Sequence, residues 1–176
     1  MDTYTEHIIK QKYSFKAILM TFGLYLLATV LSVVTVTLAF SYPLVMQFAF
    51  ALVVGYYVGA WFITQKFNIE YEYIVTNDEL DVDKIMSRKT RKRMLTVSAR
   101  KFDEFGKAEG PRFEELMKNP EIQVKFDASI SKKSDGRFYA LFVNKKEQKM
   151  LLIFNPTEKM LKMFRIYNPE KVGNYD

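Results

Sequence analysis

The pattern of apolar and polar positions divides the chain into two unlike parts. From Ala17 to Gln65 the tyrosines are the only ionisable side chains, and Ser41-Tyr42-Pro43 interrupts the apolar stretch near its middle. A helix needs about 20 apolar residues to cross a membrane, because each residue adds ~1.5 Å to a hydrocarbon path of ~30 Å. Residues 17–40 and 44–64 each meet this length. The pattern therefore predicts a transmembrane hairpin of two helices within residues 17–65.

Beyond the hairpin, the chain alternates with a period of two, which is typical of strands with one buried face. Tyr71, Tyr73 and Val75 alternate with mainly polar neighbours before a turn at Asn77-Asp78. The alternation predicts strands over residues 70–76, 80–85, 94–97, 101–105, 122–129, 137–144 and 148–154. We expect these strands to form an antiparallel β domain over residues 68–167.

Two helices are predicted in the β domain. The first follows Gly110-Pro111 and covers residues 112–118, with three inward side chains: Phe113, Leu116 and Met117. In the second, Asn155 is the expected cap and Pro156 the first helical residue. Its apolar stripe consists of Met160, Leu161, Phe164 and Tyr167. Asn168-Pro169 ends this helix and begins a C-terminal tail over residues 168–176.

The charges beside the hairpin predict its orientation. Lys10, Lys12 and Lys16 precede the first helix and Lys66 follows the second, whereas residues 41–43 between the helices carry no positive charge. The positive-inside rule therefore predicts that both termini and the β domain are cytoplasmic, and that the protein is a multi-pass protein of the cell membrane. A cleaved signal peptide is the alternative for the first segment, but its apolar core is usually only about 7–15 residues long.

Residues 1–16 are expected to be a juxtamembrane segment. One possibility is that they lie along the interface, with their lysines at the headgroups. The other is a frayed, solvated terminus.

Small residues in the hairpin suggest how its helices pack. Gly55 and Gly59 form a G-x-x-x-G step, and Gly59 is expected at about the depth of Gly23. Glycines let helix backbones approach closely, so we interpret these three as the contact between the two helices. A homodimer built on Gly55 and Gly59 is the alternative. No acid, lysine, arginine or histidine lies within residues 17–65, which argues against an ion path or a transporter site.

The residue inventory limits the possible chemistry. The chain has no cysteine, and its single histidine, His7, precedes the hairpin. Disulfides, thiolate nucleophiles, zinc–thiolate sites and iron–sulfur clusters are therefore excluded, and a catalytic triad would have to lack imidazole. Asp81 and Asp83 share a strand face, but carboxylates on a solvated face need no catalytic explanation. We expect a protein that is not an enzyme, with no catalytic residue, cofactor or metal.

The segment Tyr71 to Val82 resembles the first hairpin of bacterial PH-like domains, in which an aromatic-x-aliphatic-Thr-Asn run enters a turn and returns through alternating aliphatic residues. The whole chain is similar to an uncharacterised family of small two-span bacterial membrane proteins that end in such a domain. The resemblance covers residues 17–167. It implies a membrane α+β fold, in which a PH-like antiparallel β sandwich or barrel with a C-terminal helix follows the hairpin, and it supplies no catalytic residues.

The densest charge cluster is a basic turn that consists of Arg88, Lys89, Arg91, Lys92 and Arg93. The preceding turn is acidic, unlike that of the lipid-binding eukaryotic PH domains, so phosphoinositide binding there is not expected. If the first strand leaves the membrane at residue 68, the second strand returns the basic turn to its surface, where lysine and arginine are attracted to anionic headgroups. A solvated, aggregation-resistant edge is one alternative. Nucleic-acid binding is another, but no stacking-aromatic pattern accompanies the charges.

Two functions fit these patterns. In the first, the protein is a membrane-anchored PH-like module whose binding surface at the cytoplasmic face serves an unidentified protein partner, with auxiliary contact to anionic lipids. In the second, it is an accessory or regulatory subunit of a larger membrane complex that recognises its hairpin through Gly55 and Gly59. A homo-oligomer is compatible with either function.

Overall fold

The computed structural model describes residues 4–173. They form an α+β fold with two compact units. The helical unit is Tyr13–Asn68, and the β unit combines the residues through Lys12 with those from Ile69 onward. The chain thus begins in the β unit, passes through the helical unit and returns.

The helical unit consists of two long helices, α1 (Phe15–Ser41) and α2 (Pro43–Gln65), separated only by Tyr42. Ser14 caps α1 by accepting a hydrogen bond from the Lys16 amide (3.3 Å), and Pro43 suits the first position of α2, where no amide donor is needed. Both helices are long and apolar enough to span a membrane, and their side chains are largely exposed. Their limits agree with the predicted hairpin to within a few residues.

The two helices meet through small and hydroxylated residues other than the predicted glycines. The buried residues of α1 are Ala28, Ser32 and Thr35, and α2 buries Ala60. Thr35 Oγ1 also lies 3.2 Å from Tyr56 Oη, which gives a hydrogen bond between the helices. Ala28 and Ser32 are four residues apart, the spacing that brings small residues onto one helix face.

The glycines lie away from this contact. A Cβ atom added at Gly23, Gly55 or Gly59 would have no heavy atom within 4 Å outside its own turn of helix. The hairpin therefore does not close on these glycines, contrary to the expectation from the sequence.

The first sheet of the β unit is antiparallel and has the order β1-β2-β3-β4. Its strands are β1 (Tyr4–Lys10), β2 (Ile69–Thr76), β3 (Glu79–Met86) and β4 (Thr90–Ser98). Strand β1 pairs with β2 along its whole length, from Tyr4 opposite Thr76 to Lys10 opposite Glu70, and buries Ile9. Residues 4–10 are therefore an edge strand, and the predicted juxtamembrane segment is wrong there. Its first three residues lie outside the described part of the chain.

The second sheet has the order β5-β7-β8-β6. Its strands are β5 (Glu104–Lys107), β6 (Val124–Asp127), β7 (Phe138–Val143) and β8 (Lys149–Phe154). Strand β6 runs parallel to β8, so the expectation of a wholly antiparallel domain is wrong at this strand. The connection from β5 to β6 contains α3 (Gly110–Lys118), and it carries the chain from one edge of the sheet to the other.

The main core lies between the two sheets and against the last helix, α4 (Glu158–Tyr167). Phe164 of α4 is fully buried against Phe102, Phe105 and Phe154, with ring centroids 5.7–6.2 Å apart. A second cluster, which includes Leu116 of α3, covers the other face of the second sheet. Strand β8 is buried on both faces for this reason.

The helix ends differ from the predicted ones. The cap of α4 is Thr157, whose Oγ1 accepts from the Met160 amide (3.3 Å), whereas Asn155 is buried and binds the Ile130 amide and the Asp135 carbonyl. Asn155 is therefore used in tertiary structure, and Pro156 precedes the cap. In α3, Met117 is exposed rather than inward.

The predicted tail also packs against the β unit. The Asn168 amide nitrogen donates to the carbonyls of Ala99 (2.9 Å) and Phe102 (3.1 Å), and Val172 is fully buried in the main core. Residues 168–172 are thus part of the domain, because their buried contacts hold them there.

Candidate binding surfaces of the β unit

The basic turn connects β3 to β4. Its tip is a two-residue turn in which the Lys89 amide donates to the Met86 carbonyl (3.1 Å), and both central residues have positive φ angles, +55° at Ser87 and +56° at Arg88. Turns of this kind match the twist of an antiparallel pair and usually contain asparagine or glycine. Here serine and arginine adopt the left-handed conformation because the sheet determines the path on either side.

The register of the sheet defines where this turn lies in the β unit. Met86 pairs with Ile69, and Glu70 pairs with Lys10 on its other side. The turn therefore lies at the end of the sheet where the chain leaves β1 and enters β2. The prediction that the second strand returns to the start of the first is confirmed, since β3 ends beside Ile69.

All three arginines of the basic turn form ion pairs with carboxylates of β2 and β3. Arg88 Nε lies 3.5 Å from Glu70 Oε1, and Arg91 Nη2 lies 2.9 Å from Glu72 Oε1. Arg93 contacts both Asp83 and Asp81, the latter through Nη1 at 2.6 Å from Oδ2. The acidic residues on the outer face of the sheet thus compensate much of the positive charge that the sequence concentrates here.

The two lysines of the turn differ from the arginines. Lys89 and Lys92 are exposed, and within residues 4–173 neither has an acidic partner. Lys92 lies opposite Lys84 in the β3–β4 pair, which adds a third positive charge at this end of the sheet. The structure therefore divides the five predicted contact residues into three paired arginines and two uncompensated lysines.

Glu72 is a buried carboxylate on the outer face of the sheet. Its side chain is covered by its neighbours, and its Oε2 atom has no hydrogen-bond donor among the described groups. Burial, and then the neighbouring carboxyl group of Glu6, raises the pKa of Glu72, while Arg91 opposes this change. Glu6 shows the reverse behaviour, because a hydrogen bond from Tyr4 (2.7 Å) and the contact with Glu72 lower its pKa. The pair is therefore a place where protonation and folding are linked.

Asp81 and Asp83, the two carboxylates considered for catalysis, are occupied by structural contacts. Both pair with Arg93, and Asp81 Oδ1 also accepts a hydrogen bond from Thr96 Oγ1 (2.5 Å). Across the described residues, no group of three or more histidine, cysteine, aspartate or glutamate side chains is arranged to hold a metal ion.

A groove that sequence analysis did not predict runs between the two sheets. It has a volume of about 510 Å³ and lies between the edge strands β4 and β6, beside the turn that connects β7 to β8. Its apolar lining includes Met94, Leu95, Phe126 and Phe142. These residues come from separate segments, so no local motif marks the groove. The basic pair Lys145-Lys146 lies in the turn between β7 and β8, and by itself this pair indicates only a turn.

The helical unit has an opening of its own. It has a volume of about 580 Å³ and is lined by residues near the start of α1 and the end of α2, including Phe22, Tyr25 and Trp61. At its rim the Tyr13 hydroxyl donates to Asn68 Oδ1 (2.7 Å). Its lining combines aromatic side chains with the polar side chains of Thr21, Thr64, Gln65 and Asn68, and no charged side chain lines it.

A family model supplies the relationship of this chain to other proteins. The model described as "Bacterial PH-like domain (DUF6106)" matches residues 1–174. No curated protein and no solved structure matches the chain. The family match covers the helical unit as well as the β unit, so both are parts of one family architecture. The chain therefore belongs to the bacterial PH-like domain family DUF6106.

Proposed function

We propose that the chain is a non-enzymatic module, anchored in the cytoplasmic membrane by α1 and α2, whose PH-like β unit binds a protein partner at the cytoplasmic face. The observation that carries this proposal is the direct connection of two exposed apolar helices to a small β unit. Only a few residues join them, Gln11–Ser14 before α1 and Lys66–Asn68 after α2. Such short connections keep the β unit at the membrane surface.

The exposed surface of the helices supports a membrane location. Large apolar side chains such as Phe15, Phe40 and Phe50 are more than three-quarters exposed. Keeping a side chain of this size in water costs about 1.5–3 kcal/mol relative to burying it, and many such residues line both helices. Lipid provides the apolar surroundings, and the helices satisfy their own backbone hydrogen bonds, as a lipid-exposed segment must.

The lysines around the hairpin favour cytoplasmic termini, as the positive-inside rule states. Reporter proteins fused at Asp2 and at Asp176 test this orientation. Both reporters should give the cytoplasmic signal, and a periplasmic or external signal from either fusion would overturn the orientation.

The uncompensated lysines, Lys89 and Lys92, are the proposed contact with anionic lipids. Each lysine near an anionic surface contributes about 1 kcal/mol of attraction, so the contact is auxiliary and depends on salt. The arginines of the basic turn contribute less, because their charges are compensated by carboxylates.

Vesicle binding tests the lipid contact. The β unit should co-sediment weakly with vesicles that contain phosphatidylglycerol and not with neutral vesicles. Replacing both lysines, Lys89→Gln and Lys92→Gln, should remove this binding. The matched control replaces two exposed lysines of the C-terminal region, Lys162→Gln and Lys171→Gln, and should keep it. Equal loss in both variants would mean that only net charge matters, and the contact at the basic turn would be rejected.

A second candidate function is that of an accessory subunit of a membrane complex recognised through the hairpin. It is supported by the open face at Gly55 and Gly59, where another helix backbone could approach closely. Replacing α1 and α2 by unrelated spans separates the two functions. A partner that co-purifies with the exchanged protein favours the β-unit module, and a partner that is lost only on this exchange favours the subunit.

A further inference from the structure

The edge of β4 is open along the groove described above. Strand β4 is the last strand of the first sheet and pairs only with β3, so its outward backbone groups have no strand partner within residues 4–173. Strand β6, on the other side of the groove, is likewise the last strand of its sheet. Unpaired strand edges present rows of N–H and C=O groups that can pair with another chain.

A β-bulge shapes this edge. Val82 pairs with Leu95 but Asp83 pairs with Arg93, so Met94 is an extra residue on β4. Its side chain is 40% exposed and lines the groove. From Met94 to Val97 the strand carries no charged side chain, and the groove continues along β4 to Ser98 as a smaller cavity of about 120 Å³. The accessible edge from Arg93 to Ser98 would accommodate an extended segment of ~20 Å at ~3.3 Å per residue.

The floor of the groove is apolar and packs against the main core. Phe142 and Met150 are almost completely buried, and Leu95, Val124 and Phe126 pack against the same core. These side chains offer a surface for apolar residues that project from alternate positions of an added strand.

The rim of the 510 Å³ groove is basic, and no acidic residue lines this groove. It carries Arg93, Lys125, Lys145 and Lys146. Arg93 is compensated by Asp81 and Asp83, but Lys125 donates only to the carbonyls of Met117 (2.7 Å) and Asn119 (3.2 Å). Lys145 and Lys146 are exposed, and the described residues provide no carboxylate for either. The rim is therefore complementary to negative charge.

We propose that the β4 edge and its groove bind an extended peptide segment of a partner protein, one that alternates apolar with acidic side chains. The segment adds a strand to β4, its apolar residues contact Leu95 and Phe126, and its carboxylates lie near Lys145 and Lys146. This proposal rests on the protein-binding function proposed above and names the binding surface and the chemistry of the partner. A peptide fits better than a fatty acyl chain, because an acyl chain leaves the open backbone groups of β4 unpaired.

The test uses the full chain in detergent micelles and a fluorescent peptide of seven residues that alternates glutamate with valine, with both ends blocked. We expect saturable binding, weakened about tenfold or more by Lys145→Glu with Lys146→Glu, as for reversal of charges at a binding surface. The same variant should bind the matching lysine–valine peptide better than the unchanged protein does. The control is Lys132→Glu with Lys133→Glu. These two lysines are consecutive in the sequence and exposed, and neither lines the groove, so binding should be unchanged.

The backbone contribution is tested separately with peptides N-methylated at alternate residues, one for each parity. One of the two should lose about tenfold or more in affinity, since methylation blocks the donors that face β4. The proposal is overturned if no saturable binding occurs up to about 1 mM peptide, if both methylated peptides bind as well as the parent, or if the groove variant and the control behave alike. Displacement of the parent peptide by myristate, together with full binding of both methylated peptides, would assign the groove to an anionic amphiphile instead.

Recovery of a partner from membranes separates failure of the β4 proposal from failure of the proposed protein-binding function. If the groove variant still recovers the same partner from membranes as the unchanged protein, the β4 proposal fails and the membrane-anchored module stands. If the unchanged protein recovers no partner under mild conditions but binds the peptide, the peptide site stands and the broader function is lost.

Discussion

Replacing Phe164 by alanine is the most direct test of the closed β unit. The ring is fully buried on α4 and lies among Phe102, Phe105 and Phe154. Removing a buried phenylalanine ring costs about 3–5 kcal/mol, through lost transfer free energy and the cavity that remains. The aromatic contacts add to this loss, so we expect a value in the upper part of that range.

The size of this effect is large against the stability of a small domain, which is about 5–15 kcal/mol. Urea unfolding followed by circular dichroism measures it. With a slope of about 1–2 kcal/mol per molar urea, the transition midpoint should fall by roughly 2 M or more. The control is Ile166→Ala on the same helix, because Ile166 is 71% exposed and its loss should change the free energy of unfolding by less than about 0.5 kcal/mol.

A small effect at Phe164 would contradict the packing of α4 on the core. If Phe164→Ala changes the free energy of unfolding by less than about 0.5 kcal/mol while the protein remains folded, α4 is not docked on the sheets and the closed PH-like arrangement is wrong. Equal large losses at Phe164 and Ile166 would instead indicate that Ile166 also makes buried contacts, because alanine is the better helix former and cannot weaken α4 through propensity.

Three further predictions follow from other contacts of the β unit. A fragment of residues 69–173 lacks β1 and should therefore be less stable to urea than a version in which residues 4–12 precede it through a linker. The linker can be short, because the Gln11 amide donates to the Ile69 carbonyl (3.0 Å). Thr157→Ala should lower the free energy of unfolding by about 1 kcal/mol through loss of the α4 cap, and Thr157→Ser should largely restore it. Glu72→Gln should change how stability depends on pH. Folding raises the pKa of Glu72 above its unfolded value of about 4.3, so the protonated side chain stabilises the folded state. This stabilisation is complete below the unfolded pKa and is lost as the pH rises through the folded pKa. The unchanged protein should therefore lose stability relative to Glu72→Gln over this pH window, and parallel pH profiles would contradict the assignment.

Local patterns predicted the elements whose partners are close in sequence. The hairpin helices and the β2–β3 pair depend on apolar run length and on a turn at Asn77-Asp78, which lie within short windows. The C-terminal helix was likewise predicted from its stripe, and Met160 and Phe164 are fully buried. The local pattern does not predict strand β1, because its partner β2 is more than fifty residues away and because Lys10 is interpreted as an orientation charge of the hairpin.

The bulge on β4 explains why strict alternation fails at the basic turn. Arg91, Arg93 and Leu95 have the same parity along the chain, so simple alternation places them on one face. Arg91 and Arg93 pair with carboxylates on the outer face, whereas Leu95 packs against the core. The extra residue, Met94, makes this reversal possible. A single inserted position of this kind has no local sequence signature.

The parallel direction of strand β6 could not be predicted from the sequence, because it also depends on contacts between distant residues. Its own residues, Val124 to Asp127, alternate as any edge strand does. Its direction depends on where the chain lies after α3, and that position follows from packing of Leu116 and Ile122 on Tyr139 and Leu151. The candidate groove arises from the same packing, because β6 forms one of its sides.

The ion pairs of the basic turn change how its five residues must be interpreted. From the sequence, all five are expected to be exposed turn charges that contribute little to folding. In the structure, Arg91 lies against the buried carboxylate of Glu72, and Arg93 holds Asp83, whose side chain is almost completely buried. Removing one partner of such a pair leaves the other buried without compensation, which destabilises the fold. Joint replacement of all five would therefore confuse stability with binding, and only the lysines, Lys89 and Lys92, can report on a lipid contact by themselves.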